Sequence, residues 1–405
     1  MSVLYITQNG ICDHIGQSQV APYVLGLAAQ GHAIHVLSAE KPGQDALVAR
    51  YQALFDQAGV RWTRVPYRSA PKVIGPALTQ WQLERAARRI IADEPVHAVH
   101  CRSFPAALIG HRLKRSLGVP YLFDFRDFYA DGGLTKGARV LRPLYARMKR
   151  MEGPMIRDAA RVVCLTERAR DLLVDWYLKD VPGAADRFTV IPCCADFRHF
   201  DPARVEAEHM AEARQRLGLA DGQTVLLYLG SLGPDYLLPE MIRLFAALLD
   251  LRSDARFLFV SNNGRELVEA ECRAQGVPAD RIVFTSVGRD AVPTLIALAT
   301  LSVVFIRADL SKAGCSPTKL AELFAMNVPV IANRGVGDMD RIVSPDRNGS
   351  TLLADFSSDA MRRAIAEVLE MRENGARAIR ENSAEFDLPA GVAAYAKVYR
   401  ELEAG

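Results

Sequence analysis

A chain of 405 residues, half of them hydrophobic and 24% charged, is too long for one ordinary core and divides into two or three globular domains. Its formal net charge of +3 is too small to argue for nucleic acid as a partner, and no apolar run approaches the ~20 residues that span a bilayer. Seven scattered cysteines (Cys12, Cys101, Cys164, Cys193, Cys194, Cys272 and Cys315) form no C-x-x-C pair, which argues against a zinc or redox site and for the cytoplasm.

The opening MSVLYITQNG has no basic leader and no long apolar core, so it reads as a first strand and not as a signal peptide. Strand-like runs follow in SVLYIT, AIHVLSA, AVHCRS, PYLFDFRD, ARVVCLT and FTVIPC, separated by helical patterns such as QVAPYVLGLAAQG, which closes on Gly31. CADFRHFDPARV has linker character, and the alternation then resumes with TVLLYLGSLG, ARFLFVSN, RIVFTSV, LSVVFIR and VPVIAN. Apolar strands alternating with helices predict an α/β protein of two doubly wound, Rossmann-like domains built on parallel sheets. The boundaries fall at 1–195 and 196–384, with a C-terminal helix in 385–405 expected to pack back towards the first domain.

Ligands of such sheets bind at the carboxyl ends of the strands, so those loops carry the candidates. The loop NGICDHIGQSQVAP lacks G-x-G-x-x-G, but Gly16 would let a ligand approach the backbone, and Gln17 and Gln19 offer neutral hydrogen bonds. In HCRS and DFRDFYADGG, Arg102, Asp124, Arg126 and Asp127 stand at strand ends; alternation puts Asp124 and Arg126 on one side and Asp127 on the other. Two arginines suit an anionic acceptor or a leaving diphosphate, or else make a structural Arg–Asp pair; His100 is a catalytic candidate or a structural histidine. KGARVLRPLYARMKR carries Lys136, Arg139, Arg142, Arg147, Lys149 and Arg150 with interleaved apolar residues, and could rest on an anionic membrane surface or be a solvated helix face.

In the second half, LGSLGPDY places Gly230, Ser231 and Gly233 in a small-residue turn that can cradle a phosphate. The stretch AGCSPTKLAELFAMNVPVIAN begins as a turn, with Ser316 as N-cap and Pro317 at the first helical position. Lys319 then lies in the first turn, where a cation opposes the helix dipole. A phosphate at the helix start would turn that conflict into a binding site, with Glu322 facing sugar hydroxyls; the alternative is an exposed Lys–Glu pair. On position alone, Lys319→Gln leaves the unliganded fold unchanged or raises its stability by a few tenths of a kcal/mol.

SPTKLAELFAMNVPVIANRGVGDMDRIV resembles the donor-binding signature of family 4 glycosyltransferases, enzymes of the GT-B fold with two Rossmann-like domains and a cleft between them. DHIGQSQVAPYVLGLAAQGHAIHVLS, VHCRSFPAALIGHRLKRSLGVPYLFDFRDFYADGG, AARVVCLTERARDLL and FTVIPCCADFRHF resemble, in order, further segments of bacterial polysaccharide-assembly members. The resemblance implies a donor diphosphate at the helix beginning near Ser316, with Pro317, Thr318 and Lys319 close by and Ser231 and Gly233 facing it. It implies that Gly16 sits against the donor phosphates, with Gln17 beside it as a further donor-binding candidate, and that Glu322 holds the nucleotide ribose.

The reaction so implied moves a sugar, with retention, from a nucleoside-diphosphate sugar to a glycan or polyprenyl-diphosphate-linked acceptor, without a cofactor or a required metal. It would run in the cytoplasm or at the inner face of the plasma membrane, with Lys319, Arg126, Asp127, Arg102 and His100 as catalytic candidates. The chain departs from the family in two places. Gly314 stands where the family has its first Glu, and SLGPDYLL has no cation, which leaves Lys319, Lys312, Arg289 or Arg307 to meet the diphosphate. A sugar-nucleotide epimerase and a non-catalytic sugar-nucleotide-binding relative are the alternatives.

Overall fold

The computed structural model describes residues 1–71, 73–374 and 378–404, and all but the side chain of Lys136 among them. The chain forms two compact units. The first comprises Met1–Cys193, Ala313–Cys315 and Leu388–Gly405; the second comprises Cys194–Lys312 and Ser316–Asp387.

The first unit holds a seven-stranded parallel sheet. Its strands are β1 (Ser2–Thr7), β2 (Ala33–Glu40), β3 (Arg61–Pro66), β4 (Ala98–Arg102), β5 (Tyr121–Phe125), β6 (Arg161–Cys164) and β7 (Phe188–Val190), in the order β3-β2-β1-β4-β5-β6-β7. Side-chain alternation divides its faces. Leu4, Ile6, Val99, Cys101, Phe123 and Phe125 join the core built with the helices Ile74–Asp93, Ser103–Leu117, Arg142–Asp158 and Glu167–Tyr177. Tyr5, His100 and Asp124, of the opposite parity, face the C-terminal helix Leu388–Ala404, which packs against the helix Ala21–Ala29.

The second unit holds a six-stranded parallel sheet. Its strands are β8 (Val225–Leu229), β9 (Arg256–Val260), β10 (Ile282–Thr285), β11 (Leu301–Val304), β12 (Val330–Asn333) and β13 (Thr351–Leu353), in the order β10-β9-β8-β11-β12-β13. In each sheet the chain leaves a central strand in one direction and returns in the other. The reversal falls between β1 and β4 in the first and between β8 and β11 in the second, and in each sheet the loops at those carboxyl ends are the natural place for a ligand.

Sequence patterning missed β3 and β13. β3 is an edge strand whose Arg61 and Arg64 are exposed beside a buried Trp62, and β13 is only three residues long. The helix start is also shifted. Ser316 is not the N-cap: the helix spans Thr318–Ala325 with Pro317 at the cap position, because Pro317 keeps an extended ψ of 117°.

Gly16 lies in the short helix His14–Gln19, and its need to be glycine comes from within the fold. A Cβ there would sit 2.1 Å from the Gly10 carbonyl oxygen and 2.6 Å from Ile11 Cα. The Gly10–Cys12 backbone that it approaches is itself fixed by buried Glu40, which accepts hydrogen bonds from Ile11 N (2.7 Å) and Cys12 N (3.2 Å). Gly233, by contrast, has open space where its Cβ would be. Gly16→Ala should therefore destabilise the protein by about 2 kcal/mol or more, and Gly233→Ala by less than about 0.5 kcal/mol, in thermal unfolding. Equal costs would contradict this packing account.

Candidate active site

In the second unit the site is built at the β8–β11 reversal. Gly230 follows β8 with φ +114°, a conformation that suits glycine, and its N–H donates to Val260 O at 2.9 Å. The Asn263 side chain then grips Leu232 on both sides, accepting from its N–H (3.0 Å) and donating to its carbonyl (2.8 Å). Tyr228 donates its hydroxyl to Ser231 O at 2.8 Å. The turn carrying Ser231 and Gly233 is thus held from three directions, and Ser231 itself is exposed.

Lys319 runs into this turn from the second position of its helix. Its Nζ lies 4.4 Å from the ring centroids of both Tyr228 and Tyr236, and a Cβ on Gly230 would come within 3.1 Å of it. Two ring faces offset the unfavourable dipole position of the cation, each worth about 0.5–2 kcal/mol. The rings also aim the ammonium at the Gly230–Ser231 backbone. Glu322, one turn further on, is buried and pairs with Arg289 at 3.2 Å, while the Arg289 guanidinium lies 5.3 Å from the Phe200 ring centroid. Burial pushes the Glu322 pKa up, against the opposing pull of Arg289 and Lys319. The other cations named as diphosphate candidates are less suited. Lys312 is held by Asp235 at 2.7 Å, and Arg307 reaches the Pro234 carbonyl. Sequence reasoning missed Tyr228, Tyr236 and Asn263; Tyr228 lies in β8 and Tyr236 ends the quoted turn LGSLGPDY, but no spacing rule marks a ring pair that orients a lysine.

In the first unit His100, Arg102 and Arg126 do come together, around buried Asp124. Asp124 lies 3.4 Å from His100 Nε2, 3.4 Å from Arg102 Nη1 and 3.5 Å from Arg126 Nη1, and accepts the Tyr395 hydroxyl at 3.1 Å. Tyr399 OH lies 2.8 Å from His100 Nδ1, so the partners assign a neutral ring that donates from Nε2 and accepts at Nδ1. Arg126 further donates to the Tyr395 hydroxyl oxygen (3.3 Å), Gln19 Oε1 (3.5 Å) and Cys193 Sγ (3.3 Å). His100 is therefore corrected from catalytic candidate to buried structural histidine, and Arg102 and Arg126 are committed to the same network. Asp127 is exposed, Gln17 donates to the Cys12 carbonyl at 2.7 Å, and Gly16 packs as described above.

Gly314 belongs to the first unit. Ala313 O accepts the Thr166 hydroxyl at 2.7 Å, and a Cβ on Gly314 would make ordinary contact with Phe128 at 3.4 Å. The basic segment also divides. Lys149 pairs with Asp131 (2.7 Å) and Glu152 (2.8 Å) and lies 4.4 Å from the Trp176 ring centroid, so it is a structural lysine. Arg139, Arg142, Arg147 and Arg150 are exposed, and the Lys136 side chain lies outside the described residues.

Two outcomes test these placements. Lys319→Gln should lower the stability of the unliganded protein by about 1 kcal/mol in denaturant unfolding, because the lost ring contacts outweigh the relieved dipole. The second concerns pH. Burial depresses the His100 pKa below the ordinary 6.5, against the pull of Asp124. The unfolded ring then binds a proton that the folded ring refuses, so stability falls as pH drops below 6.5 towards the folded value. Asp124, held well below its ordinary 3.8 by Arg126, His100 and Arg102 despite burial, adds its loss only at lower pH. His100→Gln should reduce the slope of stability between about pH 6.5 and 5, leaving the part due to His32 and His111, whose pKa values burial also lowers. An unchanged slope would contradict the assignment.

The chain and its fold have counterparts among known proteins. Residues 16–194 match the glycosyl transferase 4-like domain, and residues 209–386 match glycosyl transferases group 1. Alpha-monoglucosyldiacylglycerol synthase of Streptococcus pneumoniae is 25% identical over 366 residues, covering 86% of this chain and 74% of that protein. Sucrose-phosphate synthase of Thermosynechococcus elongatus superposes with a TM-score of 0.73 at 17% identity, over 100% of this chain and 99% of that one. HepE of Anabaena, in complex with UDP and glucose, superposes with a TM-score of 0.68 at 15% identity, over 98% and 99%. With the two domain matches lying in order on two parallel-sheet units, the chain belongs to the family 4 type of glycosyltransferases and is a transferase of the GT-B fold.

Proposed function

We propose that the protein transfers a sugar, with retention of configuration, from a nucleoside-diphosphate donor to a glycan or lipid-linked acceptor in surface polysaccharide or glycoconjugate synthesis. The observation that carries this reading is Lys319, held across two tyrosine rings beside the Gly230–Ser231 turn at the start of a helix. Free helix N–H groups and an oriented ammonium suit a diphosphate, and they stabilise the charge that develops as the sugar–phosphate bond breaks. Such a site meets that charge without a metal. Glu322 accepts the ribose hydroxyls, sharing its oxygens with Arg289. Gly314 leaves the donor sugar without a side-chain carboxylate at that position, so the sugar is selected by other groups. The name of the pneumococcal relative, a glucosyldiacylglycerol synthase, and the UDP and glucose held by HepE support the substrate classes.

We place the reaction in the cytoplasm at the inner face of the membrane, with exposed Arg139, Arg142, Arg147 and Arg150 meeting anionic headgroups. Incubation with a panel of nucleotide sugars and acceptors tests the reaction. Sugar transfer that requires an acceptor is expected. Interconversion of the nucleotide sugar alone would indicate an epimerase, and binding without turnover a non-catalytic protein; either would overturn the reading. Glu322→Ala should weaken nucleotide binding by about 1.5–3 kcal/mol in calorimetry, and unchanged affinity in a folded variant would remove Glu322 from the site.

A further inference from the structure

The helix Ile74–Asp93 of the first unit is apolar on the wrong side. Its buried face is Gly75, Thr79, Leu83, Ala87 and Ile90. The opposite face, at i, i+4, i+7 and i+11, reads Ile74, Leu78, Trp81 and Arg85. A surface helix of a globular protein carries polar residues there. Here Ile74 is 58% exposed, Leu78 43% and Trp81 56%.

A second exposed apolar cluster lies in the same unit. Val140 is 81% exposed, and Leu144 follows one turn later. The helix Ser103–Leu117 packs against both the Ile74–Asp93 and Arg142–Asp158 helices, so the two clusters lie on the same face of one sheet. Both follow the carboxyl ends of strands, β3 and β5, so they share the rim of that sheet where its binding loops lie. Of the eleven large apolar side chains exposed among the described residues, six (Val73, Ile74, Leu78, Trp81, Val140 and Leu144) belong to this rim.

The exposed charges around it are mostly positive, with Asp127 the exposed acid after β5. Arg85 stacks on Trp81, with its guanidinium 5.4 Å from the ring centroid, and Arg89 continues the same face. Arg139, Arg142 and Arg147 accompany Val140 and Leu144. Glu84, the acid nearest in sequence, is already paired with Arg88 and Arg112.

We infer that this rim is a membrane-docking surface, in which Ile74, Leu78 and Trp81 enter the headgroup–acyl boundary of an anionic bilayer while the arginines meet the lipid phosphates. It deepens the membrane-side reading above by naming an apolar anchor that the basic segment alone does not supply. Apolar insertion plus electrostatic attraction is the pairing that holds an interfacial helix, and a Trp–Arg stack suits the boundary between them. No helix among the described residues is long and apolar enough to cross a membrane, so the helix lies on the surface. A symmetric contact with a second copy would set these arginines against one another.

The test uses the full chain with vesicles of phosphatidylglycerol and phosphatidylcholine, and vesicles of phosphatidylcholine alone. Wild type is expected to sediment with the anionic vesicles, more weakly at high salt, with a blue shift of tryptophan emission. Trp81→Phe should abolish the shift, leaving Trp62 and Trp176 silent. The triple variant Ile74→Gln, Leu78→Gln, Trp81→Gln should lose at least about tenfold in partitioning, since three apolar anchors are removed. Its thermal unfolding and nucleoside-diphosphate affinity should stay unchanged. Three results would overturn the inference: no wild-type partitioning at low salt, equal partitioning of the triple variant, or a concentration-dependent dimer that the triple variant abolishes. Vesicle binding with no nucleoside-diphosphate binding would sink the transferase reading and leave this surface standing.

Discussion

The second unit is organised around one cation in an electrostatically awkward place. Lys319 sits in the first turn of a helix, where the backbone N–H groups already carry positive potential. It is tolerated there because Tyr228 and Tyr236 present ring faces at 4.4 Å. Other features accompany that placement. Gly230 adopts a φ of +114° that suits glycine and leaves room for the lysine end, Asn263 holds the turn beyond it, and Asp235 pairs with Lys312. The helix start and the lysine together gather positive potential at the sheet's reversal point, and that potential is the property a diphosphate group recognises.

The first unit uses its charges differently. Asp124, His100, Arg102 and Arg126 are buried at the carboxyl ends of β4 and β5, and the C-terminal helix supplies Tyr395 and Tyr399 to complete their hydrogen bonds. A buried network of this kind fixes one arrangement, because each unsatisfied member would cost about 1–3 kcal/mol. The strand ends therefore depend on a helix nearly three hundred residues away in sequence. Exposed side chains of this unit include Asp127 and the outward-facing apolar residues of the rim.

The parallel sheets were legible because both are buried on two faces, which writes continuous apolar runs into the sequence. β3 was hidden by its exposed arginines, and β13 by its length. The location of Lys319 and Glu322 could be read from helical spacing and from the family resemblance. Their environments could not: the ring pair under Lys319 and the Arg289 partner of Glu322 depend on which loops tertiary structure brings together. His100 and Lys149 misled for the same reason, since a charged or titratable residue at a strand or helix end looks the same in sequence whether its partners are protein or ligand. The apolar outer face of Ile74–Asp93 went unnoticed because hydrophobic periodicity identifies a helix without saying which face is buried.

The central claim is that Lys319, as oriented by its two tyrosines, receives the donor diphosphate. Calorimetry of Lys319→Gln against wild type with two ligands, a nucleoside and its diphosphate, tests it most directly. The account predicts that the diphosphate loses at least about 1.5 kcal/mol while the nucleoside is unaffected, because only the diphosphate carries the charge that the ammonium meets. Equal losses for the two ligands, or none for either, would contradict it and return Lys319 to the status of an ordinary structural lysine.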